Sequence, residues 1–599
     1  MNATSAPAGT LDAVTAVTVN GVRDFPEDWD QIAWGRAEAE VRRLRQRIFT
    51  ASKAGEHRTV RSLQRLMLRS RANALVATRR VTQINQGRRT AGVDGSVALT
   101  GPDRAELARW VQQRGNQPPA LPVRRIYIPK ANGKRRPLGI PVIADRASQA
   151  VVLNALEPEW EARFEPRSYG FRPGRGCHDA IEAIYTVCKG KKPKRAWVLD
   201  ADLTAAFDRI NHDRLLGHLH GFPAREQLAR WLRAGVMENR EFAPTTEGTP
   251  QGGVISPLLM NVALHGMETA AGVRYKPWRS TRGWSAPGTP VLIRYADDLV
   301  ALCHTRQETE QVKDRLAAWL APRGLSFNED KTRIVHLSEG FDFLGFTVRH
   351  YRRPGKLLIT PSKAAVKRFR ARLRAEVRSL HGSNAFAVIS RLNPILRGWA
   401  GYYRTVVSKK VFGDIDFTLR WTLFKWGRRQ HNTKTGQWIV DRYFGRFHPT
   451  RQDRWIFGDR ETGAYLRKLP WTPISRHQMV KADASPDDPD LAYYWRQRRR
   501  RQTHQHHCPD TVDAHRNLLE PDAAKVARPV LRGPRPGNGP GLPDDHHDDP
   551  DVAGVHGRHG PTDVVVVADA GMVSQANMNA IEADGLSFIP VQGSRTCPT

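Results

Sequence analysis

Two adjacent acids, Asp297 and Asp298, sit between runs of strand-forming apolar residues: Val291, Leu292 and Ile293 before them, Leu299, Val300 and Leu302 after. This pattern predicts a β-hairpin whose tight turn carries the carboxylates. Ionised acids at a turn between buried strands point to a divalent cation, although aspartate also favours turns for its local hydrogen bonds. A third acid weighs on the choice. In Trp197-Val-Leu-Asp-Ala-Asp-Leu-Thr-Ala-Ala-Phe-Asp-Arg-Ile-Asn-His212 an apolar strand ends in alternating acids, and the period of two puts Asp200 and Asp202 on one face. Asp202 with the hairpin acids could hold two divalent ions about 4 Å apart, which activate an attacking 3′-oxygen and stabilise leaving pyrophosphate. Because strand neighbours face opposite ways, Asp297 is expected to be the principal ligand and Asp298 a supporting one.

Phosphoryl transfer leaves a protein mostly positioning and charge neutralisation to do, so cations for phosphate should accompany acids for metal. The block Arg124-Arg-Ile-Tyr-Ile-Pro-Lys-Ala-Asn-Gly-Lys-Arg-Arg-Pro-Leu-Gly-Ile-Pro141 reads as a hairpin turning at Asn132-Gly133, with Lys130, Lys134, Arg135 and Arg136 at its tip. Such a tip can wrap a triphosphate, or it can be a basic edge that resists aggregation. Ser168-Tyr-Gly-Phe-Arg-Pro-Gly-Arg-Gly176 suits either stacking on a template strand or a rigid loop. Gly248-Thr-Pro-Gln-Gly-Gly-Val-Ile-Ser-Pro257 is a glycine-rich loop opening a helix, from which Gln251 can reach a base or sugar. Lys331 follows a turn at Asn328-Glu-Asp, and Phe341-Asp-Phe-Leu-Gly-Phe346 reads as an aromatic hairpin.

The elements that carry these residues lie in a basic chain. Its 599 residues hold 94 Lys plus Arg against 60 Asp plus Glu, a formal charge of +34. That much positive charge repels itself unless a polyanion neutralises it, and nucleic acid is the first candidate. No apolar run has the length of a transmembrane helix, and the N-terminus lacks a basic-then-apolar signal. Five scattered cysteines make neither a disulfide framework nor a zinc knuckle. A cytosolic, reduced location is expected. From Trp29 to about Ile84, Val41, Leu44, Ile48, Leu63, Leu66 and Leu75 recur at helical spacing among many arginines, a solvated face or a nucleic-acid-facing one.

Taken together, these blocks resemble the reverse transcriptases of bacterial group II introns, the intron-encoded maturase family, from about residue 30 to 500. Arg124–Pro141 looks like the fingers, the strand around Asp202 the first palm motif, and Pro250–Pro257 the nucleotide-binding motif. Tyr295–Asp298 looks like the catalytic hairpin and Asn328–Thr332 the lysine motif. The resemblance implies an α+β right-hand polymerase of fingers and palm, with an α-helical thumb, or maturase, domain; the Pro-, Gly-, Arg-, Asp- and His-rich composition after Cys508 predicts a largely disordered C-terminal tail. The resemblance also implies Mg2+ at a two-metal site, with Mn2+ as a substitute, held by Asp202, the Leu203 carbonyl and Asp297, with Asp298 adjacent. Lys130 and Arg136 would bind the triphosphate, Gln251 the incoming nucleotide, and Phe207 would exclude a ribose 2′-hydroxyl. Lys331 is a proton donor to pyrophosphate or a structural or phosphate contact. Asp200 lies behind the ligands or faces solvent. Leu392-Asn-Pro-Ile-Leu-Arg-Gly-Trp-Ala-Gly-Tyr-Tyr-Arg404 is similar to the maturase-specific thumb, which grips intron RNA and the primer–template duplex. Leu419, Leu423 and Trp426 read as core of that helical bundle.

The implied domains are a mobile leader at 1–28, a basic helical extension at 29–120, and fingers and palm at 121–355. The maturase domain comes next at 356–450, then a DNA-binding segment at 451–501 and a disordered linker at 502–549. The expected activity is RNA-directed DNA polymerisation with splicing assistance and target-primed insertion of the intron. Its partners would be the host intron RNA, an RNA template with a DNA primer, dNTPs and target DNA, in a bacterial cytoplasm at the nucleoid. Cys508 has no partner two residues away, so neither a zinc site nor an HNH endonuclease is expected. Within 550–599, Thr562-Asp-Val-Val-Val-Val-Ala-Asp-Ala-Gly-Met572 reads as a strand ending in Asp569, then a helical stretch to Ala583 and a strand at Gly585-Leu-Ser-Phe-Ile589. That string resembles a fragment of a DDE-type insertion-sequence transposase; an unrelated apolar tail is the alternative. Other readings of the whole are a splicing-only maturase or RNA-binding protein that has lost its acids, or a reverse transcriptase serving defence or diversity generation. The acids are intact, and the Arg397–Arg404 string should be missing from the last class.

Overall fold

One four-stranded sheet, with an apolar cluster on each face, organises the protein. The computed structural model describes residues 28–114, 120–129, 135–276 and 285–506. The expectations for the leader, for Lys130 and the Asn132-Gly133 turn, for nearly all of the 502–549 linker and for the transposase-like tail lie outside those residues. In chain order the main strands are β1 (Val123–Pro129), β2 (Arg135–Ile140), β3 (Trp197–Asp202), β4 (Val236–Glu238), β5 (Glu241–Ala243) and β6 (Val291–Tyr295). They continue with β7 (Asp298–Cys303), β8 (Arg333–His336), β9 (Phe341–Phe343), β10 (Phe346–Tyr351) and β11 (Lys356–Pro361). The central sheet runs β6-β7-β3-β8, each neighbouring pair antiparallel.

Its strands are almost wholly apolar because both faces are covered. Leu199, Ala201, Leu292, Leu299 and Ala301 enter one cluster with the helices Ile143–Glu161, Ser256–Ala263 and Arg306–Leu320 and with the N-terminal helices. Val198, Ile293, Val300 and Leu302 enter the other, with the helix Cys177–Cys188, strands β9–β11 and the helices from Lys363 to Gln430. Alternation along each strand assigns the two sets. The architecture is α+β, with a helical C-terminal half.

The strands expected to form the fingers lie in a second sheet, β2-β1-β4-β5, in which β1 and β2 pair antiparallel and β1 meets β4 in parallel. The N-terminal region folds into Trp34–Lys53, His57–Arg69 and Arg71–Arg79, with Val41, Leu44, Ile48 and Leu63 buried as their spacing predicts. Its arginines divide. Arg42, Arg43, Arg58, Arg65 and Arg69 are exposed. Arg45 instead bonds Glu157 and Asp487, each at 2.7 Å, and so ties this extension to the C-terminal segment.

Several side chains in segments expected to meet nucleic acid pack inside the protein. Trp399, Tyr402 and Tyr403, the rings of the thumb-like string, are buried on the helix Ala385–Tyr403. Trp399 stacks on Phe369 with ring centroids 4.5 Å apart. The Tyr402 and Tyr403 hydroxyls donate to the Leu344 and Gly345 carbonyls, at 2.9 and 3.1 Å. They clamp the maturase-like helices to the β9–β10 turn, because a large ring with one polar tip suits a buried joint that offers a backbone acceptor. Likewise 168–176 is the rigid loop rather than a stacking platform. Arg172 is sealed against Glu161 through two bonds of 2.9 and 3.0 Å, and Arg175 reaches the Pro166, Ala482 and Ala484 carbonyls. The segment 451–501 also packs inward. Trp495 is buried over Gly174, and Arg498 donates to Asp179 at 2.9 Å. Its helix, Ala492–His506, runs past the expected boundary at 501. Among the described residues no helix is long and apolar enough to cross a membrane.

Both side chains of the Arg172–Glu161 pair are almost fully buried, so Arg172→Ala leaves a carboxylate in the interior without its counter-charge. The expected loss is about 3–5 kcal/mol of unfolding free energy, read as a lower urea midpoint. A midpoint equal to wild type would return Arg172 to a nucleic-acid role.

Candidate active site

The carboxylates meet at the open end of the central sheet. In the β3–β7 ladder Asp202 lies directly opposite Asp298, and Asp298 pairs with Tyr295 across the hairpin. Cross-strand partners share a face, so Asp202 and Asp298 point the same way. Asp297 is not a strand residue but the second position of the two-residue turn, where alternation does not apply. Strand alternation therefore does not rank the two acids: Asp298 is the cross-strand partner of Asp202, and the charge of Asp202 also acts on Asp297. The turn also carries Ala296 at φ 58°, a left-handed conformation that costs a non-glycine residue about 1–3 kcal/mol.

A buttress that sequence reasoning did not identify holds this turn. Arg294 is buried in β6, and its guanidinium donates to Asn261 Oδ1 at 2.9 Å, Ser168 Oγ at 2.7 Å and the Ala296 carbonyl at 3.2 Å. Asn261 in turn donates to the Gly170 carbonyl at 2.9 Å. Backbone bonds from Tyr169 N to Arg294 O and from Arg294 N to Arg167 O dock the 167–170 segment of the loop beside β6 through an isolated bridge at Ser168. Gly170 packs so closely that a Cβ there would lie 2.2 Å from the Ala296 nitrogen. Burial pulls Arg294 down to about 10, so it stays charged at neutral pH. The signal available in the sequence was an arginine inside a strand otherwise buried on both faces.

The lysine motif reaches the same acids through backbone pairing. Asn328 N donates to Asp202 O at 2.8 Å and Thr204 N to Ser326 O at 2.9 Å, forming a bridge between Leu203 and Phe327. That bridge leaves out the Leu203 carbonyl, the expected metal ligand. Lys331, placed just beyond, bonds Asp202 through its ammonium. The bond to Asp202 raises the lysine's proton affinity, with Asp298 and Asp297 adding to it. Asp200 is not in open water: Arg333 donates to it at 3.1 Å, burial pushes it up to about 6, and the charge of Asp202 adds to that rise.

Burial and the charge of Asp202 raise Asp297; burial and the charge of Asp297 raise Asp298 still further. Lys331 offsets both, and Arg136 on β2 lies near enough to offset part of the Asp297 shift. Carboxylates that raise one another's proton affinity form a site short of positive charge, and hard oxygen donors of this kind fit a divalent cation such as Mg2+. Among the described residues no three ligating side chains are already drawn into a closed cluster. Asp202 is turned to Lys331 instead.

Phe207, in the short helix Ala206–Arg209, and the Gln251 loop are joined to one another through the backbone. Phe207 is buried edge-on against Phe171, ring centroids 6.0 Å apart, and its carbonyl accepts from Thr249 N. Gln251 is half-buried, and its carbonyl accepts from Gly139 N of β2 at 2.8 Å. Gly252 has φ +123° and its Cβ would meet the Gly139 carbonyl at 2.7 Å. The glycines thus let the fingers strand lie directly on the Gln251 loop. Lys130 lies outside the described residues.

Three family descriptions match this chain in order. Residues 29–111 match the N-terminal domain of reverse transcriptase, 128–348 the reverse transcriptase (RNA-dependent DNA polymerase), and 366–444 the group II intron, maturase-specific domain. Protein YkfC of Escherichia coli is 36% identical over 316 residues, covering 47% of this chain and 82% of that protein. The chain belongs to the group II intron reverse transcriptase/maturase family. The group II intron-encoded protein LtrA of Lactococcus lactis is 30% identical over 292 residues, 39% of this chain, and the match spans about half (48%) of LtrA. Among solved structures, an apo telomerase from Candida tropicalis, truncated from its C-terminal domain, aligns at 16% identity. It covers 41% of this chain and 58% of that one with a TM-score of 0.29, too low to carry an argument. As a member of this family the chain carries a reverse transcriptase domain, an RNA-directed DNA polymerase.

Substituting Gly170 by Ala forces its Cβ into the Ala296 backbone and shifts the acid turn without touching a carboxylate. Primer extension should fall on the order of 100-fold, as a displacement of about 1 Å does elsewhere, while far-UV circular dichroism stays unchanged. Full activity in Gly170→Ala would show that the buttress does not set the turn.

Proposed function

We propose that this protein copies RNA into DNA at Asp202, Asp297 and Asp298 and assists the splicing and mobility of a group II intron. The observation that carries this reading is the register that sets Asp202 opposite Asp298 beside the Asp297 turn. Asp202, Asp297, Asp298 and the Leu203 carbonyl would hold the divalent ions, Mg2+ or Mn2+. Bound there, such ions supply the charge that lowers the 3′-hydroxyl pKa and stabilises the leaving oxygen.

The remaining residues bind and orient. Arg136, with Lys130, grips the triphosphate; a planar guanidinium does so with two parallel bonds. Gln251 contacts the incoming nucleotide from a loop that the fingers strand holds by its backbone. Phe207, backed by Phe171, closes the space where a 2′-hydroxyl would sit. Lys331 keeps its proton beside Asp202 and is placed to protonate pyrophosphate or to hold a phosphate.

We assign the fingers and palm to 121–355, the maturase domain to 356–450 and a target-DNA segment to 451–501. The partners are the host intron RNA, an RNA template with a DNA primer, dNTPs and target DNA, in the cytoplasm at the nucleoid. The cysteine spacing favours insertion without an HNH nuclease, primed by a nascent strand at a replication fork. The run after residue 550 is read as a catalytically inert transposase remnant.

On an RNA template with dNTPs and Mg2+, wild type should extend a DNA primer and Asp297→Ala should not. Equal extension by both would remove the catalytic assignment. Splicing assistance, which needs RNA binding rather than polymer chemistry, should survive in Asp297→Ala. A protein that assists splicing without extending primers would be the splicing-only maturase instead. Phe207→Val should raise ribonucleotide relative to deoxynucleotide incorporation at least tenfold in single-nucleotide assays, and an unchanged ratio would take the ring out of sugar selection.

A further inference from the structure

The strongest unassigned feature is a basic surface at the end of the central sheet opposite the acids. The chain enters β3 through Lys189-Gly-Lys-Lys-Pro-Lys-Arg195. Lys191, Lys192 and Lys194 of this loop are exposed. Against it lies the tip of the β10–β11 hairpin, which exposes Arg352, Arg353 and Lys356. The contact is built. Buried His350 bonds the Gly190 carbonyl at 2.9 Å, and a Cβ on Gly355, which has φ +76°, would touch Lys191 at 3.6 Å.

Folding therefore brings together two cationic segments that are some 160 residues apart in the chain. The sequence has no aspartate or glutamate from 183 to 199 or from 343 to 375, and among the described residues none of these six side chains has an ion-pair partner. Like charges gathered without acids repel and are poorly placed unless a polyanion covers them. The exposed ring of Tyr351 beside Arg349, 5.1 Å from its guanidinium, adds an aromatic face.

We propose that this surface is a second nucleic-acid site, one that holds the phosphate backbone of a structured RNA while the acids engage template and primer. It rests on the reading above for the nature of the partner. Five strand residues lie between the loop and Asp202, about 17 Å at the usual rise, so RNA bound here need not occupy the polymerase site. RNA is favoured over duplex DNA because β11 leads through the Ser362 cap into the basic helix Lys363–Ser379. That helix opens the region matched by the maturase-specific domain. The two segments offer no Asn, Gln, Asp or Glu to base edges, which suits recognition of folded RNA by shape and backbone.

The test uses the full chain and its variant Lys191→Gln/Lys192→Gln/Arg352→Gln/Arg353→Gln. A folded group II intron transcript and a DNA duplex are the probes, with Kd measured across a salt series. The variant should bind the transcript at least tenfold more weakly, and its salt slope should fall by about 0.7–0.9 for each phosphate it no longer neutralises. Primer extension on a short RNA template should stay within twofold of wild type, which also shows that the variant folds. An unchanged Kd and slope for the transcript overturns the proposal. So does a loss confined to duplex DNA, or a parallel loss of primer extension that would place the surface in the cleft. If wild type extends no primer, the polymerase reading fails while the binding arm still decides this one.

Discussion

Three carboxylates crowded at the end of a buried sheet repel one another, and much of the surrounding fold is arranged to keep them there. The β3–β7 ladder sets Asp202 against Asp298, and the tight turn adds Asp297. Left alone, the turn would relax from the left-handed strain at Ala296. The Arg294 guanidinium prevents this by bonding the turn, Ser168 of the neighbouring loop and Asn261 at once. A buried guanidinium is costly to leave with open donors. Each bond that satisfies Arg294 therefore also fixes the acids.

The same economy joins parts distant in sequence. Arg172 and Arg175 look like nucleic-acid contacts in a glycine-rich string, yet they stitch the loop behind the acid turn to Glu161 and to the 482–484 backbone. Asp179 receives Arg498 and His477 from the C-terminal segment, and Arg45 reaches Asp487 from the N-terminal helices. The helical half is seated by the tyrosine pair on the β9–β10 turn. In so basic a chain, position along the sequence does not separate structural arginines from those left for phosphate; burial does.

Much was legible before folding. The apolar strands, the acid-bearing hairpin, the Gln251 loop before a helix and the N-terminal helical spacing all arise from local pattern, and local pattern reflects short-range sterics and burial. The role of the thumb-like rings and of the 168–176 arginines was not legible. A ring that stacks on a base and one that packs on a neighbouring helix have the same composition. The Arg294 buttress was visible only as an anomaly, a charge within a strand buried on both faces.

The sequence by itself determined the chemistry on offer: acids at strand ends, cations and a glutamine in loops, and a net charge that demands a polyanion. It did so because strand alternation and turn preference act over a few residues. Tertiary structure decided what those groups face. Asp298 rather than Asp297 lies across from Asp202, because register is a property of paired strands almost a hundred residues apart. Lys331 reaches Asp202 because a bridge at Leu203 returns the chain to the strand end. Which arginines stay free for nucleic acid was settled by the packing that consumed the others.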